Sequence, residues 1–93
     1  MIPSTVNICG IPHTVKLCED CFDTDCHLGQ IEYKKCEIKI NKDATEEMQK
    51  QTLIHEMVHG IFVQIGRSDL TVDETLVQSM AMAMAINQSF DLK

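Results

Sequence analysis

The sequence predicts a small α+β domain in which a short antiparallel β-sheet of about four strands precedes two helices. Two observations predict this class. Short runs of alternating apolar and polar residues end near Asn41, and helical patterns with capping signals occupy the rest of the chain. The length of 93 residues and the hydrophobic content of 44% suit one domain, residues 1–93, with a single small core.

The first two strands are predicted at residues 5–9 and 13–18. Between them, Gly10, Ile11 and Pro12 have the composition of a turn, and proline disfavours a ladder position in a central strand. A short turn between two apolar runs is typical of a β-hairpin, so we expect these strands to pair with each other.

The third and fourth strands are predicted at residues 28–33 and 36–40. In the fourth, Cys36, Ile38 and Ile40 share one face, which is typical of a half-buried antiparallel strand. Gly29 in the third strand indicates a bulge or a close approach of another backbone. If the third strand is an edge, it could bind an extended peptide by strand addition.

The first helix is predicted over residues 44–65. Asp43 is a suitable N-cap with Glu46 as its capping-box partner, and Gly66 suits the position just after the helix. Gly60 lies inside this helix at some cost in stability, and we expect it to let another backbone come close.

The second helix is predicted to begin after Thr71, which forms a Thr-x-x-Glu capping box with Glu74. Its methionine-rich run over residues 80–85 is interpreted as adaptable core packing. The same run could bury a face between two copies of the chain, so a homodimer is compatible with the sequence.

The first helix contains the motif H-E-x-x-H, formed by His55, Glu56 and His59. Residues four apart lie on the same face of a helix, so the two imidazoles can bind one metal ion while Glu56 reaches a water molecule beside it. The flanking residues are mostly apolar, and burying two histidines and a glutamate without partners would cost several kcal/mol. A metal site is therefore favoured over an incidental pair of histidines.

Charge and hydropathy limit the classes of partner. The net charge of −6 disfavours a nucleic-acid backbone as a partner. No run approaches the roughly 20 apolar residues of a membrane span, so we expect no membrane partner. The N-terminal residues have neither the basic nor the apolar region of a signal peptide, and we expect a cytoplasmic protein.

The five cysteines fit poorly with a complete disulfide framework because their number is odd. Cys18, Cys21 and the Cys26-His27 pair have a spacing that could bind a metal. A structural zinc site usually has four ligands in two paired clusters, however, and only one C-x-x-C pair is present. Free thiols are therefore favoured over a second metal site.

A catalytic zinc ion takes three protein ligands and keeps one open position. The second helix is expected to fold back beside the first and supply the third ligand, with Asp69, Asp73 and Glu74 as candidates. A cysteine from elsewhere in the chain is a less favoured alternative. Glu74 is favoured for its position and its longer side chain, although the capping box would also explain a glutamate there.

Three segments resemble the ImmA/IrrE-like metallopeptidases of phages and mobile elements: residues 38–41, the H-E-x-x-H helix at residues 52–62, and residues 74–81. That family has a Glu-x-x-Ala-x-x-Phe-Ala pattern after H-E-x-x-H. Here Glu74 and Ala81 match the pattern, whereas Val77 and Met80 replace its first alanine and its phenylalanine. The resemblance implies a zincin-like fold, Zn²⁺ as the cofactor and Glu74 as the third ligand.

The expected activity is zinc-dependent hydrolysis of a peptide bond, with Glu56 as the general base for a zinc-activated water. The resemblance suggests a regulator or repressor as the protein substrate. Tyr33 and His27 are candidates for stabilising the oxyanion. Two alternatives are a zinc-binding interaction module with little or no turnover and a structural zinc protein based on cysteines.

Overall fold

The computed structural model describes residues 2–19 and 28–91, with side chains described as far as Met84. This part of the chain contains four strands and three helices: β1 (Thr5–Ile8), β2 (Ile11–Cys18), β3 (Gly29–Glu32), β4 (Glu37–Asn41), α1 (Glu46–Gln64), α2 (Ser68–Thr71) and α3 (Glu74–Asp91). The predicted α+β class, with a four-stranded sheet followed by helices, is confirmed. The short helix α2 was not predicted. None of the helices described is long and apolar enough to cross a membrane.

The sheet has the strand order β1-β2-β4-β3. The two outer pairs, β1–β2 and β4–β3, are antiparallel, but the central pair β2–β4 is parallel. The prediction of an antiparallel sheet is wrong for this central pair. Residue alternation identifies strands but not their neighbours. Here β4 lies between β2 and β3, and its Ile38 and Ile40 are fully buried. As a result β3 is an edge strand.

The turn between β1 and β2 consists of Cys9 and Gly10, whose φ angles are 50° and 83°. Two successive positive φ values are typical of a two-residue type I′ turn, which suits the twist of a hairpin. The second strand therefore starts at Ile11, earlier than predicted, and includes Pro12. Proline is tolerated there because β4 pairs with β2 only from Thr14 onwards.

Helix α1 begins later than predicted. Its N-cap is Thr45, whose hydroxyl accepts a hydrogen bond from the backbone N–H of Met48 at 3.2 Å. The predicted cap, Asp43, instead lies in a turn in which its N–H donates to the side chain of Asn41 at 2.9 Å. The predicted end is confirmed, since Gly66 follows the helix with a φ of 80°.

Helix α1 lies between the sheet and α3, and each neighbour buries a different face. One apolar cluster joins the helix to the sheet: Ile2, Ile8, Val15, Ile38, Ile40 and Leu53. A second joins it to α3: Val58, Phe62, Val77 and Ala81. With both faces covered, the helix is fixed relative to the strands and to α3, and so are the side chains of H-E-x-x-H.

Helix α3 packs on α1 through Val77, Ala81 and Met84, which are spaced by about one turn. Met80 and Met82 are 39% and 55% exposed. The prediction of core packing is therefore wrong for these two methionines, because they lie away from the face that contacts α1. The side chains of residues 85–91 lie outside the described part of the chain.

Gly60 faces the sheet from the C-terminal half of α1. A β-carbon at this position would lie 2.8 Å from Cδ1 of Ile8 and 3.1 Å from Cδ1 of Ile31. The glycine therefore brings the helix down onto the side chains of the sheet. The predicted close approach is present, but its partners are side chains rather than another backbone.

Gly29 lies where β3 passes close to α1. The strand pairs in register with β4, so the alternative of a bulge is wrong. A β-carbon at Gly29 would overlap the γ-methyl of Thr52 and lie 3.2 Å from the carbonyl oxygen of Lys39 and 3.4 Å from Cγ of Glu56. The edge strand therefore lies directly against the helix that carries the motif.

We expect Gly29→Ala to destabilise the fold by about 1–3 kcal/mol, because the added methyl overpacks this contact and the Lys39 carbonyl cannot easily move. Thr52→Ser removes the γ-methyl, so the double variant should be more stable than the sum of the single changes by on the order of 1 kcal/mol. Urea unfolding of the four proteins measures this difference. Additive effects would mean that Thr52 does not limit the space at Gly29.

Candidate metal centre

Helix α1 presents His55 and His59 one turn apart on a single face. Their ring centroids are separated by 5.0 Å, with an angle of 65° between the ring planes. The side chains are only 21% and 12% exposed. The predicted juxtaposition of the two imidazoles is therefore present in the structure.

Glu74, the first residue of α3, lies opposite both histidines. Its Oε2 atom is 3.3 Å from Nε2 of His55, and its Oε1 atom is 3.2 Å from Nε2 of His59. One potential ligand atom from each of the three residues lies within 4.8 Å of the others. The group can therefore hold one metal ion, as two nitrogens and a carboxylate.

The other predicted candidates for the third ligand are engaged elsewhere. Asp73 caps α3 by accepting a hydrogen bond from the N–H of Leu76 at 3.1 Å. Asp69 forms two hydrogen bonds of 3.0 Å with the guanidinium of Arg67. Because Asp73 caps the helix, the predicted capping box is wrong, and a box no longer explains the presence of Glu74.

The second ring nitrogen of each histidine also has a partner. Nδ1 of His55 lies 2.8 Å from Oε1 of Gln78, and Nδ1 of His59 lies 2.8 Å from Oγ1 of Thr71. A neutral imidazole that donates from Nδ1 has a lone pair on Nε2. Two lone pairs then face the carboxylate of Glu74 and are repelled by its negative charge. A cation bound between the two nitrogens and the carboxylate would attract all three groups. The donor set therefore fits a metal ion.

Sequence reasoning did not identify Gln78 and gave Thr71 a different role, that of a helix cap. A usable signal was present for Gln78, because it follows Glu74 by four residues and therefore lies one turn further along the same face of a helix. Thr71 ends the separate short helix α2, so helical spacing does not place it.

Glu56 is 8% exposed and lines the same cleft as the three potential ligands. Burial raises the pKa of its carboxyl from 4.5 to about 7; the nearby Glu74 adds to the rise and His55 opposes it. A carboxyl group with a pKa near neutrality can both accept and return a proton at physiological pH.

Burial has the opposite consequence for His59, because it disfavours the charged form of a base. It lowers the pKa of the imidazole below 6.5, although Glu74 acts in the other direction. The ring is therefore mostly neutral at pH 7, which is the form that binds a metal.

The cleft has a volume of about 480 Å³ and lies between α1, the start of β3 and the first two turns of α3. Leu28 and Gly29 form the wall on the side of the sheet. Within residues 2–19 and 28–91, β3 is the last strand of the sheet, and its outer backbone groups pair with no further strand there. An extended chain could therefore pair with β3 beside the three potential ligands.

Tyr33, one of the two predicted oxyanion donors, adjoins the site. Burial raises the pKa of its phenol, the hydrogen bond with Thr71 lowers it, and the charges of Glu56 and Glu74 raise it further. The other candidate, His27, lies outside the described residues.

The alternative sites based on cysteine are only partly described. Cys21 and Cys26 lie outside the described residues. Cys9 is exposed in the hairpin turn, and the thiol of Cys36 donates to the carbonyl of Tyr33 at 3.7 Å. Within residues 2–19 and 28–84, the group with metal-binding geometry contains no cysteine.

Comparison of the chain with protein-family models, with curated proteins and with solved structures gave no match.

Proposed function

We propose that this protein is a zinc-dependent metallopeptidase whose metal ligands are His55, His59 and Glu74. The observation that carries the proposal is the convergence of both Nε2 atoms on the two oxygens of Glu74, 3.2–3.3 Å away, with the buried carboxyl of Glu56 in the same cleft. Two histidines and one glutamate form a common ligand set of catalytic zinc. The resemblance to ImmA/IrrE-like metallopeptidases supports the same ligands.

Each remaining step is assigned to a residue of the cleft. Bound zinc would lower the pKa of a water molecule towards about 7 and polarise the scissile carbonyl. Glu56 accepts the proton of the attacking water and passes it to the leaving amine. The outer edge of β3 holds the substrate backbone in an extended form, as in other cases of strand addition.

The substrate class in this proposal is a peptide or protein segment that can adopt an extended conformation, because an edge strand recognises backbone groups. A regulator or repressor is proposed as the protein that contains this segment, on the basis of the family resemblance. The cytoplasm is the compartment in which such a target would be met.

The direct test is digestion of a mixed peptide library by metal-free protein to which one equivalent of zinc is added. Cleavage products detected by mass spectrometry should appear with zinc, disappear with a chelator and return when zinc is restored. Tight zinc binding without cleavage of any peptide or of casein would contradict the peptidase proposal and favour a zinc-binding interaction module.

Tyr33 is proposed to donate a hydrogen bond to the oxyanion, because its phenol adjoins both Thr71 and the acidic groups of the site. Tyr33→Phe should therefore lower kcat by about 100-fold, as loss of one oxyanion donor does elsewhere. The affinity for zinc should not change, since this side chain is not a ligand. Equal loss of zinc affinity and of kcat would assign Tyr33 a structural role instead.

A further inference from the structure

We propose that Gln78 and Thr71 are positioning residues, which hold His55 and His59 in the tautomer and ring orientation that directs both Nε2 atoms at Glu74. The inference rests on the proposed zinc site and extends it from the ligands to the groups behind them.

Gln78 follows Glu74 by one turn of α3, so both side chains extend from the same face of that helix towards α1. Its amide oxygen lies 2.8 Å from Nδ1 of His55. An amide oxygen only accepts hydrogen bonds, so Nδ1 must carry the proton. Nε2 of His55 is then left with a lone pair, 3.3 Å from Oε2 of Glu74.

Thr71 has the same effect on His59 by a different route. Its hydroxyl donates to the backbone carbonyl of His59 at 3.4 Å and lies 2.8 Å from Nδ1 of the same residue. A hydroxyl has only one proton. If that proton is used for the carbonyl, the oxygen accepts from Nδ1–H and can also accept from the phenol of Tyr33, and Nε2 of His59 is unprotonated.

The two contacts matter because the other tautomer would place a proton on Nε2, between each ring and Glu74. That proton occupies the position of the metal and must be moved before a ligand bond forms. Partners of ligand histidines typically change metal affinity by about 10- to 100-fold when they are removed. We expect effects of this size at Gln78 and at Thr71.

The variants form two matched pairs. Gln78→Met removes the acceptor with little change in length, whereas Gln78→Glu keeps an acceptor. Thr71→Val removes the hydroxyl with little change in shape, whereas Thr71→Ser keeps it. Gln78 is exposed on a helix, so its replacement should leave the fold intact.

The first readout is the tautomer of each histidine in metal-free protein near pH 8.5, from long-range ¹H–¹⁵N NMR of the imidazoles. His55 should carry its proton on Nδ1 in wild type and in Gln78→Glu, and shift towards Nε2 in Gln78→Met. His59 should behave in the same way in Thr71→Ser and Thr71→Val. Unchanged tautomers in both disruptive variants would overturn the proposal.

The second readout is zinc affinity, measured by competition with a chromophoric chelator. Gln78→Met and Thr71→Val should bind zinc about 10- to 100-fold more weakly, while Gln78→Glu and Thr71→Ser should bind at least nearly as well as wild type.

Different results would contradict the zinc site and the positioning roles. If His55→Ala binds zinc as tightly as wild type, the zinc site itself is wrong. If His55→Ala loses zinc but Gln78→Met and Thr71→Val keep wild-type affinity, the site stands and the positioning roles are wrong.

Discussion

Replacing His55 or His59 with alanine should abolish stoichiometric zinc binding by the purified, metal-free protein. Each change removes one of the three potential ligands that lie within 4.8 Å of one another. If a three-ligand site binds with roughly 10–16 kcal/mol, losing one ligand forfeits roughly a third of that free energy, or on the order of a thousandfold in Kd. Metal analysis after dialysis, together with chelator competition, measures the loss.

Glu74→Gln extends the test to the third ligand, because it removes the charge and leaves the shape of an exposed side chain. The matched control is Asp73→Asn, which removes a neighbouring charge but keeps an oxygen that can cap α3. Zinc affinity should fall in Glu74→Gln and stay at the wild-type level in Asp73→Asn. The reverse result would make Asp73 the ligand.

Zinc binding after alkylation of the thiols tests the alternative based on cysteines. Alkylation of the thiols should leave zinc in place in wild-type protein, since no described cysteine joins the group of ligands. Saturating zinc at a thousand times Kd should stabilise the wild type by about 4 kcal/mol, and His55→Ala by almost nothing. Zinc that survives both histidine changes but leaves on alkylation would instead establish a structural site formed by cysteines.

The histidine pair could be predicted from sequence because its geometry is local. Residues four apart on a helix must share a face, and the apolar residues around His55 and His59 require that the helix be buried. The end of the helix at Gly66 was equally local. The choice between Asp43 and Thr45 as N-cap was not, because it depends on a turn in which Asp43 hydrogen-bonds with Asn41.

The proposed third ligand could not be selected from spacing alone. Asp69, Asp73 and Glu74 are all acidic and lie within six residues, and their roles differ only through tertiary neighbours. An ion pair engages Asp69, and a helix N-terminus engages Asp73. The parallel β2–β4 pair escaped prediction for a related reason, since alternation is the same for a strand whichever neighbour it has.

Glu56→Gln should have two opposite effects, a large loss of hydrolysis and a gain in stability of the metal-free fold. As the general base, the carboxylate contributes about 10²- to 10⁴-fold to the rate, and an amide cannot accept the proton. Zinc affinity should be retained, because Glu56 is not among the proposed ligands. Peptide hydrolysis that survives the change would exclude Glu56 as the base.

The gain in stability follows from the burial of the same carboxyl. Its pKa is about 7 in the folded chain, compared with an ordinary value of 4.5. The unfolded chain therefore loses this proton at a lower pH than the folded chain, and the stability that the neutral form supports disappears as pH rises from about 4.5 to about 7. A pKa shift of this size corresponds to a loss of about 3 kcal/mol in the free energy of unfolding. The Glu56→Gln protein should not show this loss, because its amide carries no charge.

Urea unfolding of metal-free wild type and Glu56→Gln, at about pH 4 and about pH 8, measures how the Glu56 carboxyl contributes to stability. Burial of His59 acts in the opposite direction, because a lowered pKa in a base adds stability as pH rises. His59 is present in both proteins, so its contribution largely cancels in the difference between them. The free energy of unfolding of Glu56→Gln should exceed that of the wild type by about 3 kcal/mol at about pH 8, and by much less at about pH 4.

If the Glu56→Gln protein is more stable than the wild-type protein, the natural carboxylate is present for function and not for stability. A domain of 93 residues has a small core. A buried charge that destabilises it by about 3 kcal/mol therefore removes a substantial fraction of its free energy of unfolding. Because zinc affinity should be the same in the two proteins, zinc should stabilise the wild type and Glu56→Gln by equal amounts at about pH 8. Parallel pH profiles for the two proteins would instead mean that Glu56 is solvated and poorly suited to the role of base.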